Sequence, residues 1–172
     1  MKALLEKVPL NTESSFLVRE FIVPYFEAPL HFHPELELTL ILKGKGKRFI
    51  GDHISDFGPG DLVLMGTNLP HFYRCNEEYY EADTDLRSNA IIIQFKEDFL
   101  GVDFFNIPEM KMVKKLFEKS LLGLVFIGKT KDLLIERMKK INKDKGSNQL
   151  IELINILNIL SETNEFNLLS KP

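Results

Sequence analysis

Hydrophobic residues in the first hundred positions fall into short runs that are separated by glycine, proline and polar residues. The runs cover residues 16–23, 32–42, 47–54, 62–65, 71–74 and 89–96. Closely spaced strands with this punctuation are typical of an antiparallel β-sandwich or β-barrel. Between two of the runs, the stretch 43–46, Lys-Gly-Lys-Gly, predicts a hairpin loop.

After residue 100 the apolar spacing changes to that of helices. Pro108 suits the first turn of a helix, and Val113 and Leu116 follow at helical spacing. Thr130 and Ser147 are predicted as the N-caps of two further helices. The sequence therefore predicts a mainly β fold followed by C-terminal α-helices.

The last predicted helix, over residues 148–160, is apolar around most of its circumference. Its only polar stripe consists of Glu152, Asn155 and Asn158. A helix of this kind has to be covered on more than one side. We expect a homodimer through the C-terminal helices. The alternative is that the helix beginning near Thr130 covers this surface within one chain.

Length and composition fit a single soluble unit with an ample core, since 44% of the 172 residues are hydrophobic. We divide it into a β-domain over residues 1–100, a helical segment over 101–163 and a linker over 164–172. No apolar run approaches the length of a membrane span, the first residues lack a secretory signal, and Cys75 is the only cysteine. These features predict a cytoplasmic protein that does not enter a membrane.

The charge of the chain argues against direct binding to nucleic acid. The formal net charge is -3, and the only basic cluster, over residues 129–145, is interleaved with acidic residues. Nucleic-acid-binding domains usually concentrate basic residues on one face. We therefore expect that this chain does not bind DNA by itself.

The stretch over residues 31–42 carries the candidate chemistry. In a strand, alternate residues point to the same face. The even positions from 36 to 42 are all leucine, whereas the odd positions are polar up to Thr39: His31, His33, Glu35, Glu37 and Thr39. Burying the polar set is costly unless its members are paired or bound to a metal. Two histidines and a carboxylate on one face can coordinate a divalent ion.

A third histidine, His71, follows the predicted strand 62–65 and its turn. If the two strands are neighbours, His71 completes a set of three histidines and one glutamate. Pro34 has no amide hydrogen, so we expect the first strand to lie at an edge or to bulge there.

The spacing of these residues resembles that of the cupin superfamily. The first cupin motif is His-x-His, three residues, Glu, six residues and Gly, and it matches His31, His33, Glu37 and Gly44. The second motif matches at Gly60 and His71 but departs from the family at Gly66, Asn68 and Cys75. The resemblance implies a cupin-type antiparallel β-barrel.

The same resemblance implies that the four matching positions are metal ligands: His31, His33, Glu37 and His71. The candidate ions are Zn, Ni, Fe and Mn. The alternative interpretation is a metal-free cluster in which the carboxylate and the imidazoles are held by hydrogen bonds.

A narrower resemblance covers most of the chain. The texts HFHPELELTLILKGKGKRFIGD, GDLVLMGTNLPHFYR and IIIQFKEDFLG are similar to the N-terminal sensory domain of AraC-type transcriptional regulators. This resemblance implies that the barrel binds a small-molecule effector, such as a sugar or a small acid, and that the helices dimerise. It also implies that a C-terminal module, absent from this chain, contacts DNA, and that the effector changes the spacing of two such modules.

Two other functions remain open on the sequence. The first is a metal-dependent cupin enzyme, an isomerase or dioxygenase, although the long apolar helical tail disfavours it and we assign no catalytic residue. The second is a dimerisation module with a filled barrel.

Three further residues are candidates for contact with an effector: Arg48, Tyr73 and Phe32. Arginine suits the recognition of carboxylates, and Tyr73 has the same parity as His71. The alternatives are an ion pair for Arg48 and simple core packing for the two aromatic side chains.

Overall fold

The computed structural model describes residues 1–171, which form two β-sheets and three α-helices. The strands of the five-stranded sheet are, in spatial order, β1 (Leu4–Leu5), β3 (His31–Phe32), β8 (His71–Cys75), β5 (Gly46–Ile50) and β6 (His53–Phe57). Those of the six-stranded sheet are β11 (Phe166–Leu168), β10 (Leu124–Phe126), β7 (Leu62–Met65), β4 (Leu36–Lys43), β9 (Ser88–Phe95) and β2 (Phe16–Val23). All neighbours pair antiparallel except β1 and β3.

The helices follow β9 in the chain. They are α1 (Lys111–Ser120), α2 (Gly128–Lys143) and α3 (Gly146–Glu162), and three short 3₁₀ helices span Glu77–Tyr80, Phe104–Asn106 and Pro108–Met110. The prediction of a mainly β fold with C-terminal helices is confirmed. Among the described residues, no helix combines the length and the apolar character that a membrane crossing requires.

The run predicted over residues 32–42 is divided at Pro34. β3 ends at Phe32 and β4 begins at Leu36, and the two strands lie in different sheets. Because proline cannot donate a backbone hydrogen bond, the ladder is interrupted here and the chain can pass from one sheet to the other. We expected an edge strand or a bulge at Pro34, and the structure instead breaks the strand there.

The predicted hairpin at residues 43–46 is wrong. β4 pairs with β7 and β9, whereas β5 pairs with β6 and β8, so this short connection also crosses between the sheets. Gly46 explains the geometry, because a Cβ atom at this position would collide with the backbone carbonyl of Arg74 on β8. The absence of a side chain at Gly46 lets β5 pair closely with β8, in the sheet that does not contain β4.

The main hydrophobic core lies between the six-stranded sheet and the helices. Leu36, Leu38 and Leu40 of β4 are almost fully buried against this layer, together with Ile93 and Phe95 of β9. The helices contribute further members of the same cluster: Val113, Leu116, Phe117, Leu134, Met138, Ile141, Leu153, Ile156, Leu157 and Leu160. The opposite face of this sheet is turned toward the five-stranded sheet.

The predicted helix N-caps, Thr130 and Ser147, are wrong. Helix α2 begins at Gly128 and α3 at Gly146, so both residues fall inside the first turn. The carboxylate of Glu165 accepts hydrogen bonds from the backbone N–H groups of Lys129 (3.2 Å) and Thr130 (3.1 Å). The acceptor for the start of α2 is therefore supplied from a position distant in sequence, which local patterns do not reveal.

Helix α3 is covered within the chain by α1 and α2. Glu152, one of the three residues of the predicted polar stripe, is buried. One of its carboxylate oxygens lies 3.5 Å from Arg137 Nη1 and the other 3.5 Å from Lys140 Nζ. The apolar surface of α3, from which we expected a dimer, is thus covered within one chain. Dimerisation itself stays a prediction.

The C-terminal stretch predicted as a linker over residues 164–172 is part of the fold as far as Ser170. β11 pairs with β10, Leu169 N–H donates to Gly123 O (2.9 Å), and Ser170 N–H donates to Leu122 O (2.8 Å). Leu169 is also buried beside Ile50 and Met65. The prediction failed because β11 completes the edge next to β10, a pairing that no local sequence pattern indicates.

Candidate metal centre

Three strands and one crossover bring the four predicted ligands together. His31 on β3 lies directly opposite His71 on β8, Glu37 lies on β4, and His33 lies in the crossing between β3 and β4. One ligand atom from each of the four side chains lies within 4.8 Å of all the others, and all four residues are buried.

Each imidazole is oriented by a backbone carbonyl. The Nδ1 atoms lie 2.6 Å from Pro29 O for His31, 3.0 Å from Glu35 O for His33 and 2.8 Å from Leu69 O for His71. A carbonyl oxygen can only accept, so Nδ1 carries the hydrogen in each ring. The Nε2 atoms consequently present lone pairs in the neutral form. This is the outer hydrogen bonding that orients metal-ligating histidines.

The carboxylate of Glu37 is held from two sides. Thr39 Oγ1 donates to Oε2 at 2.8 Å, and Gln94 Nε2 donates to Oε1 at 2.8 Å. Arg19 Nη2 in turn donates to Gln94 Oε1 at 2.7 Å. The buried acidic group is therefore fixed in one orientation by partners on β4, β9 and β2.

The charges of the cluster are coupled. Glu37 Oε1 lies 3.2 Å from His33 Nε2, and Glu37 Oε2 lies 3.3 Å from His71 Nε2. Burial opposes ionisation, but the charge of His71 and the hydrogen bond from His33 hold the pKa of Glu37 well below its ordinary value. Burial also opposes the charge of His33, and its hydrogen bond to Glu37 raises its pKa. Burial and the neighbouring His71 lower the pKa of His31.

The donor set fits a divalent transition metal. Three imidazole nitrogens and one carboxylate oxygen are suitable ligands for Zn, Ni, Fe or Mn. His71 Nε2 is buried and has no hydrogen-bond partner among the described residues. With Nδ1 protonated, a neutral imidazole turns its lone pair toward the Glu37 carboxylate, and only a proton or a cation between the two removes that repulsion.

A cavity of about 390 Å³ opens from this cluster between the two sheets. Its apolar wall is formed by residues of β2, β4 and β9 together with the segment after β2: Phe21, Val23, Ile41, Ala90, Ile92, Tyr25, Phe26 and Ala28. Its polar lining includes Arg19, Gln94 and Glu6 in addition to cluster residues. Sites for small molecules are typically concave, mostly apolar and about 300–1,000 Å³ in volume.

Of the three predicted effector contacts, the structure places one at the cavity. Tyr73 lines it, its buried hydroxyl has no hydrogen-bond partner among the described residues, and burial raises its pKa well above the ordinary value. Arg48 instead donates from Nε and Nη2 to the carboxylate of Asp61 at 3.0 and 3.2 Å. Phe32 has the opposite parity to His31 and is absent from the cavity lining. The geometry therefore gives no support to Arg48 and Phe32 as effector contacts.

Sequence reasoning missed Arg19, Gln94 and Glu6. Arg19 and Gln94 share the inward parity of their strands, but only the register of β2, β9 and β4 shows that they adjoin Glu37. Glu6 lies outside every predicted strand, and its position depends on β1. No short-range signal identifies it.

Comparisons with known proteins agree with this architecture. Residues 15–81 match the family model of the AraC-like ligand binding domain. This match confirms the resemblance found in the sequence, and residues 15–81 are similar to an AraC-like ligand-binding domain. No curated protein sequence matches the chain.

Solved structures of transcriptional regulators share the fold. The AraC-like transcriptional activator CuxR is 10% identical, with 86% of this chain and 51% of that chain covered and a TM-score of 0.55. ToxT from Vibrio cholerae is 14% identical, with 84% of this chain and 52% of that chain covered and a TM-score of 0.51. A cupin 2 conserved barrel domain protein from Rhodopseudomonas palustris is 22% identical over 51% of this chain and 57% of that chain, with a TM-score of 0.39. The chain thus spans about half the length of the two regulators.

Proposed function

We propose that this chain is the effector-sensing part of an AraC-type transcriptional regulator and that its two sheets form a cupin-type barrel around the effector. The observation that carries the proposal is the cavity between the sheets, which ends at the four-residue cluster and lies largely within the matched segment. An isomerase or dioxygenase is not favoured, because the matched family is defined by ligand binding.

The cluster would hold a divalent transition metal through His31, His33, Glu37 and His71. When bound, such an ion supplies a Lewis-acidic position for an oxygen atom of the effector. Thr39 and Gln94 keep the Glu37 carboxylate in place, and the backbone carbonyls keep each Nε2 directed at the centre. Zn, Ni, Fe and Mn all suit this donor set.

The apolar wall favours a small acid over a sugar as the effector. A sugar needs a polar partner for most of its hydroxyl groups. Beyond the cluster, Arg19 is the one arginine or lysine among the described residues that lines the cavity, and it can pair with the carboxylate of an acid. The other polar side chains of the lining include those of Glu6, Glu27, Thr39, Tyr73 and Gln94. ToxT has been solved with an unsaturated fatty acid bound, which is also an acid with an apolar body.

The site is connected to the end of the chain through packed residues. The carbonyl of Leu69 holds His71, and the Leu69 side chain packs with a cluster that contains Leu169. We propose that occupancy of the cavity alters this contact and thereby the placement of a DNA-binding module beyond β11. The protein would act in the cytoplasm as a homodimer through its C-terminal helices, where Leu133 and Ile151 expose apolar side chains.

Metal analysis of protein purified without a polyhistidine tag tests the site. We expect close to one equivalent of a transition metal in the wild-type protein and loss of that metal in His71→Ala. His53→Ala is the matched control, because His53 is the one histidine outside the cluster. Equal metal content in the wild type and His71→Ala would contradict the proposed centre.

Effector binding is tested separately by thermal unfolding of the metal-loaded protein with a panel of small carboxylic acids and sugars. We expect an increase in Tm with members of the acid group and none with the sugars, because a ligand that binds only the folded state stabilises it. A panel in which only sugars raise Tm would contradict the choice of effector.

A further inference from the structure

A fifth polar side chain reaches the cluster from the cavity side. Glu6 Oε2 lies 3.4 Å from His31 Nε2 and 3.9 Å from His33 Nε2, and Glu6 lines the cavity. Unlike Glu37, which is fully enclosed, the Glu6 side chain is 40% exposed. Glu6 therefore lies at the cluster on a side that solvent and the cavity both reach.

The backbone on either side of Glu6 is fixed by β3. Glu6 N–H donates to Phe32 O at 2.9 Å and Leu4 N–H donates to Leu30 O at 3.0 Å. The side chains of Leu4 and Leu5 are 55% and 70% exposed, so this two-residue strand buries little apolar surface. Its position depends mainly on a few backbone hydrogen bonds and on Glu6, and the carboxylate can leave the cluster at little cost in packing.

The charge of the centre favours a second carboxylate. Three neutral imidazoles and one carboxylate around a divalent cation leave a net charge of +1 in a buried environment, where an uncompensated charge is costly. Glu6 is the acidic group that approaches the Nε2 atoms of His31 and His33, on the side that would face the metal, and it would neutralise this charge. Glu35 lies 3.7 Å from the Nδ1 atom of His33, on the other side of that ring. An anionic effector could do the same.

We propose that Glu6 is a fifth, exchangeable ligand of the metal centre and that the carboxylate of an effector replaces it. This inference rests on the metal site proposed above. Arg19 is the cation that lines the cavity, and its Nε is buried without a hydrogen-bond partner among the described residues. The wall beside it includes Phe21 and Ile92. The effector class is therefore a monocarboxylate with a compact aromatic or branched body.

The test uses the whole chain loaded with Co²⁺ and compares the wild type with Glu6→Gln. We expect Glu6→Gln to weaken Co²⁺ binding about tenfold, in the range found when a group supporting a metal site is lost. The visible absorption of Co²⁺ should also change, because that spectrum reports the number of ligands. Benzoate, used as the probe, should bind the Co²⁺-loaded variant several-fold more tightly than the wild type, since its internal competitor is gone.

Glu13→Gln is the matched control. It makes the same change of charge in the same N-terminal segment, at an exposed position outside the cavity lining. It should leave the Co²⁺ affinity, the spectrum and the benzoate affinity unchanged. Thermal unfolding of the metal-free proteins verifies that both variants fold.

The outcomes separate the two proposals. Failure of the wild type to bind Co²⁺ would overturn the metal centre itself. Equal Co²⁺ affinities and identical spectra for the wild type and Glu6→Gln would overturn the role of Glu6 while leaving the centre intact. A benzoate affinity that is unchanged by Glu6→Gln would overturn the exchange.

Discussion

The two faces of β4 are both buried, but they do different things. Leu36, Leu38 and Leu40 pack against the helical layer and are almost fully buried. Glu37 and Thr39 point the other way, into the cluster and the cavity. Burial alone therefore does not distinguish a structural face from a functional one. The two faces differ in what lies opposite them: the helices pack directly on the leucine face, whereas a cavity separates the other face from the five-stranded sheet.

β9 repeats the same division. Phe95 belongs to the core under the helices, whereas its neighbour Gln94 faces the cavity and bonds to Glu37. Since successive residues of a strand point to opposite faces, one sheet can carry a stable core and a ligand site at the same time. The comparison predicts that substitutions on one face change stability and that substitutions on the other change binding.

The largest effect is expected on the helical face. Leu40→Ala should lower the free energy of unfolding by about 2–5 kcal/mol, because the side chain is fully buried and the helices cannot fill the cavity it leaves. Urea denaturation of the metal-free protein measures this loss. The metal affinity of the folded variant should stay within about twofold of the wild type, because Leu40 points to the opposite face of β4 from Glu37 and packs in the core under the helices. A large loss of metal affinity without a loss of stability would reverse the assignment of the faces.

The division between the faces of β4 could be predicted from the sequence because it depends only on alternation. The leucines at even positions and the polar residues at odd positions define it without any tertiary information. The four residues of the cluster were identified for the same reason, with the cupin resemblance supporting His71. The sequence pattern was enough to predict a feature wherever that feature depends only on the spacing of residues along one segment.

The remaining features depend on contacts between distant segments. Arg19 and Gln94 are 75 positions apart and meet only through the pairing of β2 with β9. Glu165 accepts hydrogen bonds at the start of α2 from 35 positions away, and Glu6 reaches the cluster because β1 pairs with β3. Register between strands is set by packing and turn geometry over the whole domain. No short window of the sequence contains that information.

A second, smaller effect is the pH dependence of stability in the metal-free protein. The pKa of Glu37 is lowered in the fold, so its contribution is complete above its ordinary value of 4.5 and is lost as the pH falls through the lowered value. The pKa of His33 is raised, so its contribution is complete below 6.5 and is lost as the pH rises through the raised value. Both contributions are complete between pH 4.5 and 6.5.

Urea denaturation across a pH series measures this dependence by comparing the wild type with Glu37→Gln. We expect the difference in unfolding free energy to be greatest between pH 4.5 and 6.5 and to fall on both sides. His31 lowers the unfolding free energy as the pH falls below 6.5, because burial and the nearby His71 lower its pKa in the folded protein. For Leu40→Ala the corresponding difference should be nearly flat, since the substitution removes no titratable group. If the difference in unfolding free energy between the wild type and Glu37→Gln did not change with pH, the two faces of β4 would not differ in their electrostatic contribution to stability.

The smallest effect is expected at Tyr73, on the cavity side of the five-stranded sheet. Its hydroxyl is buried without a hydrogen-bond partner among the described residues, and an unsatisfied buried polar group costs about 1–3 kcal/mol. Tyr73→Phe should therefore raise the unfolding free energy of the ligand-free protein by about 1 kcal/mol and weaken effector binding. Urea denaturation measures the change in stability, and titration with the effector measures the change in binding. If Tyr73→Phe lowers the unfolding free energy and leaves effector binding unchanged, Tyr73 has a structural role only. If the variant is more stable and binds the effector more weakly, the Tyr73 hydroxyl is an unpaired group to which the effector supplies a hydrogen-bond partner.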